Sequence, residues 1–158
     1  MDLKGEYRLA APRDTVWVML NDPAVLKSCI PGCQSLEMVG ENEMAATVVA
    51  KVGPVKATFT GAVRIENVDA PRRYSIVGEG KGGIAGFASG GANVELEEDG
   101  EDTVLRYEVD AKVGGKIAQL GGRLVDSTAK KFANQFFDCF AAHVRGDADA
   151  DAAQPAEA

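Results

Sequence analysis

From Gln34 to Val113 the chain alternates between apolar and polar side chains with a period of two. Met44, Ala46, Val48, Ala50 and Val52 share one parity, and Val55, Ala57, Phe59, Gly61, Val63 and Ile65 share the next. Tyr74, Ile76 and Gly78 continue the pattern. So do Ala88, Gly90, Ala92, Val94 and Leu96, then Leu105, Tyr107, Val109, Ala111 and Val113. Their neighbours, among them Lys56, Thr58, Arg64, Glu95, Arg106 and Glu108, are polar. Such parity wets one face and buries the other, which predicts an antiparallel sheet. The interruptions at Gly40–Asn42, Gly53–Pro54, Asp69–Arg72, Lys81–Gly83 and Asp99–Glu101 are short, as in a meander of hairpins.

Residues 3–10 predict one further strand ahead of this region. Pro12 and Asp22–Pro23 are first-turn signals for two short helices, the second stopped by Pro31–Gly32. Beyond the sheet, Ile117, Leu120, Leu124, Thr128, Phe132, Phe136 and Phe140 recur every three or four residues. That spacing predicts a single helix from about Lys116 to Val144, roughly 43 Å long. The fold class is therefore α+β: a seven-stranded curved antiparallel sheet around a long C-terminal helix, plus two short helices. The folded domain spans residues 1–145, and the Ala- and acid-rich segment 146–158 is expected to be a disordered tail.

The presumed inner face of the sheet is small. Ala46, Ala50, Ala57, Gly61, Gly78, Ala88, Gly90, Ala92 and Ala111 all point toward the helix. Interiors are close-packed, so the gap must be filled by something. Either Phe59, Tyr107 and the helix phenylalanines fill it themselves, or an apolar ligand does. The two ends of the meander also differ. One carries the charged turns; the other carries Gly53–Pro54, Gly82–Phe87 and Gly114–Gly115, which are uncharged loops suited to a mouth. Phe59, Tyr107, Leu120 and Leu124 are candidate ligand-binding residues along the interior, with Ile84 and Phe87 on the loop at its entrance.

Composition narrows the function. The 158 residues carry a formal net charge of −7, which opposes association with nucleic acid and strong electrostatic attachment to an anionic bilayer. Membrane contact would need a local basic or apolar patch. No apolar run reaches the length of a membrane span, and the first residues lack the regions of a signal peptide, so a cytoplasmic location is expected. Cys29, Cys33 and Cys139 are an odd number of thiols and argue against a disulfide framework. Two cysteines around a Pro–Gly turn, without a second Cys/His pair, do not make a zinc site. His143, the only histidine, suits a capping or surface role at the end of the helix. Gly78-x-Gly80-x-x-Gly83 matches a dinucleotide fingerprint in letters only, because a strand rather than a helix follows it.

Four segments carry a family resemblance: Asn21–Glu37, with its Cys-Ile-Pro-Gly-Cys run, Val52–Val63, Gly82–Phe87, and Val113–Asp126. Together they resemble the CoxG family of carbon monoxide dehydrogenase subunits over about residues 1–144. The resemblance implies a START-like (SRPBCC, Bet v 1-like) helix-grip fold. It also implies a non-catalytic accessory subunit of a bacterial molybdenum-containing CO dehydrogenase or related hydroxylase. Such a subunit binds a respiratory quinone or lipid in its cavity and links the enzyme to the inner face of the cytoplasmic membrane. It carries no molybdenum, flavin or cluster of its own. By position, Gly53 and Pro54 correspond to the gate, and Gly82, Gly83 and Gly86 to the latch, of helix-grip receptors. The short acidic tail departs from relatives with longer extensions and favours partner-mediated or transient membrane contact. The alternatives are a tether without ligand, or a cyclase-like enzyme on the same fold, for which Tyr107 would be the interior polar group.

Overall fold

The computed structural model describes residues 1–146, so nearly all of the segment expected to be disordered lies outside the described residues. Strand β1 (Asp2–Leu9) leads into helices α1 (Arg13–Leu20) and α2 (Pro23–Cys29). Six strands follow: β2 (Cys33–Gly40), β3 (Glu43–Val52), β4 (Val55–Asp69), β5 (Arg73–Lys81), β6 (Phe87–Asp99) and β7 (Asp102–Gly114). The chain then forms a short turn of helix, α3 (Lys116–Gln119), and the long α4 (Gly122–Arg145). The Asp22 side chain accepts a hydrogen bond from the Ala24 amide at 2.9 Å, and Pro23 occupies the first turn of α2; both are local instructions for a helix start.

All seven strands form one antiparallel sheet in the order β1-β7-β6-β5-β4-β3-β2. The register places the inward residues in rows across it. Tyr74, Val94 and Tyr107 form one row and Ile76, Ala92 and Val109 the next. Val63, Gly78, Gly90 and Ala111 follow, and then Ala46, Gly61, Gly80, Ala88 and Val113. Side chains thus shrink from the end of the charged turns toward the end of the glycine loops. The packed core lies at the first end. Leu9, Val16, Leu96, Leu105 and Phe140 are almost wholly buried there, with Tyr7 stacked on Phe137 at a centroid distance of 4.4 Å. The buried Thr103 hydroxyl donates to the Ala11 carbonyl at 2.8 Å.

Two expectations are corrected. The predicted continuous helix is two helices, because Gly121 adopts φ +99° between Leu120 and the first turn of α4. A side chain there would be strained, so the glycine accommodates a break that the apolar periodicity does not register. The cysteines are not all free thiols. Cys29 at the end of α2 is bonded to Cys139 on α4, a separation of 110 residues, and only Cys33 remains free. The Cys33 thiol turns to the Ser35 carbonyl, 3.3 Å away. Counting thiols missed the pair because the partners meet only when α4 packs on α2.

A cross-link closing so long a loop removes much of the unfolded chain's entropy. Cys139→Ser is therefore expected to destabilise the oxidised protein by about 2–5 kcal/mol, measured by urea denaturation, and to leave the reduced protein nearly unaffected. A second expectation concerns alkali. Tyr74 is 5% exposed, edge-on to Trp17, and burial pushes its phenol well above its ordinary value of 10.0. The unfolded state then releases this proton first, so the contribution is intact below about pH 10 and is lost as pH rises beyond it, by up to about 1.4 kcal/mol per pH unit. Tyr74→Phe should flatten that decline; burial also raises Tyr7 and Tyr107, which act in the same direction.

Candidate ligand cavity

At the small-residue end, α4 and the sheet touch at the Gly53 turn but leave a space between them. The space between them is a cavity of about 260 Å³. Its floor is Val48, Ala50 and Val52 of β3, Phe59 of β4, Ala88 of β6 and Val113 of β7. Its roof is Ile117 of α3 with Val125, Thr128, Ala129 and Phe132 of α4, and the Met1 side chain closes one flank. The roof positions on α4 follow the i, i+3, i+4, i+7 spacing of a single helix face. Thr128 is the one polar side chain in this lining, and its hydroxyl donates back to the Leu124 carbonyl of its own helix at 2.8 Å. The wall therefore offers a guest dispersion and apolar contact, and its one hydroxyl, with its proton engaged, is left only as an acceptor.

The sequence-predicted residues separate into three groups. Phe59 lies in the cavity wall, and its ring also supports the latch: a Cβ added to Gly82 would stand 2.5 Å from it. Leu120 and Leu124 sit over the gate instead. A Cβ on Gly53 would come within 2.7 Å of Leu124 Cδ2 and 3.9 Å of Leu120 Cδ1. The glycine lets the Gly53–Pro54 turn close against these leucines, with Pro54 at the exposed tip. The remaining three lie outside the cavity. Tyr107 belongs to the packed end, stacked on Phe137 at 5.2 Å, because its row is several residues removed from the small rows. Phe87 faces the outer side of the sheet, since Ala88 next to it faces in, and its ring lies over Gly114. Ile84 is 87% exposed on the tip of the latch, a 3₁₀ turn (Gly83–Ala85) anchored by buried Ala85 and by the Gly82 amide donating to the Gly86 carbonyl at 2.8 Å. Missing from the sequence reading were Val125 and Ala129, which belong to the same helical face as Thr128 and Phe132.

Larger concavities of about 1010 and 900 Å³ lie on the outer face of β1, β5, β6 and β7. They are bordered by Lys4, Glu6, Asn93, Arg106 and Glu108, a charged lining rather than an apolar one.

Charge divides along the same axis. At the packed end the arginines are paired: Arg8 with Asp99 and Asp102, Arg13 with Glu98, Arg72 and Arg73 with Asp69, and Arg106 with Glu6 and Glu97. At the mouth end, Lys51, Lys56, Lys81, Lys112, Lys116 and Arg123 are all exposed, and no ion pair joins any of them to a carboxylate among the described residues. The loops there are uncharged, as expected. The ends of the flanking strands are not, and the hairpin register sets Lys51 directly opposite Lys56.

Filling the cavity tests its capacity. A side chain on Gly90 would meet the Asp110 carbonyl at 2.2 Å, so the helix is the better place from which to fill it. Ala129→Leu should hold or raise the melting temperature, by at most about 0.8 kcal/mol of stability per added methylene. It should also abolish the fluorescence gain of an apolar dye that the parent protein takes up.

Known structures share this architecture. A structure described as a conserved protein from Geobacillus kaustophilus is 30% identical, with a TM-score of 0.87 over 92% of this chain and 96% of that one. A START superfamily protein from Mycobacterium smegmatis superposes with a TM-score of 0.71 at 12% identity, over 92% and 97% of the two chains. The Zhui aromatase/cyclase from Streptomyces sp. R1128 gives a TM-score of 0.65 at 16% identity, over 92% and 93%. These last two similarities show the shared fold, and no curated protein matches the chain. The model of one family, the CoxG subunit of carbon monoxide dehydrogenase, matches residues 5–145. With nearly the whole described chain matched, on a START-like helix-grip fold, the protein belongs to the CoxG family of carbon monoxide dehydrogenase subunits.

Proposed function

We propose that this chain is a non-catalytic accessory subunit of a molybdenum-containing CO dehydrogenase or related hydroxylase, and that it holds part of an apolar molecule, a respiratory quinone or similar lipid, beneath α4. One observation carries the reading: the space beneath α4 has an apolar lining whose single polar side chain gives its proton to its own helix. An apolar guest loses nothing there, whereas a polar substrate would leave its own groups unpaired. The same observation disfavours the cyclase-like alternative, which needs an acid or base at the guest, while Tyr107 stands in the packed core. Cyclase chemistry is a property of one neighbour on this fold, and fold alone does not transfer activity.

Size limits what can enter. About 260 Å³ lies below the ~300–1,000 Å³ usual for drug-sized ligands. A short stretch of isoprenoid chain fits the interior, and the rest of a long molecule, including the carbonyls of a quinone head, lies between gate and latch. The surface around that exit supports contact with an anionic bilayer. Six exposed cations would each contribute about 1 kcal/mol close to an anionic surface, and Ile84 provides an apolar tip. No helix among the described residues is long and apolar enough to cross a membrane, and the proposed contact is one at the membrane surface.

Two measurements check the reading. Organic extracts of purified protein, analysed by mass spectrometry, should contain a quinone or lipid that Ala129→Leu protein lacks. Protein that neither retains nor takes up such a molecule would leave only a tether. Separately, Lys51→Glu with Lys56→Glu should weaken flotation with anionic vesicles at least about tenfold, and raised salt should reproduce the loss. Unchanged flotation would remove the membrane half of the proposal and leave the cavity half standing.

A further inference from the structure

A second constellation lies at the end of α4 remote from the cavity. Cys29 is 4% exposed at the C-terminal end of α2, while its bonded partner Cys139 is only half-buried. One helical turn beyond Cys139, the His143 ring reaches the same place. A ring nitrogen of His143 and the two sulfurs lie within 4.8 Å of one another, and Nε2 is 3.1 Å from the Ser28 hydroxyl. Sequence position alone suggested a helix-end or surface role for this histidine; the structure turns it inward against α2.

We propose that Cys29–Cys139 is a reversible dithiol–disulfide couple clamping α4 to α2, with His143 as the positioning residue that steadies the thiolate released when it opens. Asymmetric exposure defines the chemistry. The thiolate of an external dithiol, whether a small molecule or a thioredoxin-class protein, attacks the reachable Cys139 sulfur. The Cys29–Cys139 bond breaks as the mixed disulfide forms, and Cys29 leaves as a thiolate that takes up a proton. The second thiol of the reductant then attacks its own sulfur in the mixed disulfide and frees Cys139. The net exchange is one protein disulfide and one dithiol for one protein dithiol and one disulfide. Cys29 occupies the carbonyl end of α2, where the helix dipole disfavours an anion. An imidazole N–H beside the sulfurs offsets that cost, a feature that a purely structural cross-link does not need. Cys33 takes no part, being turned toward Ser35.

The clamp has a mechanical meaning. Cavity contacts on α4 end at Phe132, and Cys139 lies seven residues further, about 10 Å along the helix. The oxidised form pins the half of α4 that does not touch the guest, and the reduced form leaves that half held by packing alone.

The test uses the full chain in buffers of graded reduced and oxidised dithiothreitol, quenched with a thiol-alkylating reagent and read by peptide mass mapping. Expected at the reducing end is labelling of all three cysteines, and at the oxidising end of Cys33 only, with the change reversible in folded protein. Hydrogen exchange over residues 136–145 should quicken on reduction. His143→Gln should slow opening by dithiothreitol on the order of tenfold while leaving the melting temperature unchanged. Labelling of Cys29 and Cys139 throughout the series, or opening only in denaturant, overturns the couple. An unaltered opening rate in His143→Gln overturns the role of the imidazole. Zinc taken up stoichiometrically by the reduced protein, blocking reoxidation, would make the cluster a metal site and likewise overturn the proposal.

Discussion

Hairpin register is the constraint from which the rest of the molecule follows. Once β6 pairs with β7 so that Val94 faces Tyr107 and Ala88 faces Val113, the size of every inward row is determined. Large rows meet α1, α2 and the second half of α4 and pack to density. Small rows, Ala46–Gly61–Gly80–Ala88 above all, meet the first half of the same helix and do not. One helix cannot approach both ends of a curved sheet equally. Cavity and core are consequences of a single gradient in side-chain volume, and a change of one residue in register would turn the apolar rows out to solvent and lose both together.

Much of this was legible in the sequence because period-two alternation reports directly on which face a residue takes. Each of the nine small residues named from the sequence lies on the inner parity of the observed sheet, and Phe59 stands in the wall. Tyr107 shared that parity and still missed the cavity, since parity gives the face and not the position along the strand. Phe87 and Ile84 were placed near a mouth by their loop, but a loop does not say which way a side chain leaves it. The Cys29–Cys139 pair and the ring of lysines were illegible for a different reason. Each is assembled from residues far apart in the chain, so no local pattern announces it. The net charge of −7 concealed the ring further, because a total carries no information on distribution.

Electrostatics and packing therefore point along one axis. Over the filled end the arginines are paired with carboxylates that outnumber them, so that end is negative although each surface pair contributes little to stability. Over the hollow end no cation pairs with a carboxylate among the described residues, and their field extends into solvent. A negatively charged surface, whether lipid or protein, would be drawn to the end at which the interior is accessible. That orientation requires no net positive charge, only an uneven arrangement of the charge present.

The dimensions of the cavity bear on how such a protein could let go of its guest. A full-length isoprenoid molecule buried completely would need a much larger void and a large opening for release. On the proposed reading a void of about 260 Å³ would take one end only, with the remainder at the rim between the Gly53–Pro54 turn and the Gly82–Phe87 loop. Both are held shut by modest contacts, Leu124 against Gly53 and Phe59 against Gly82. Such contacts cost little to break compared with lifting α4 from its core, where Phe137 and Phe140 are buried and Cys139 is bonded to Cys29. On the proposed reading, exchange proceeds by movement of the loops while the far half of the helix stays fixed. On that reading, the division of α4 into a packed, cross-linked half and a half that only roofs a space would let one short chain grip a molecule and remain folded when it is gone.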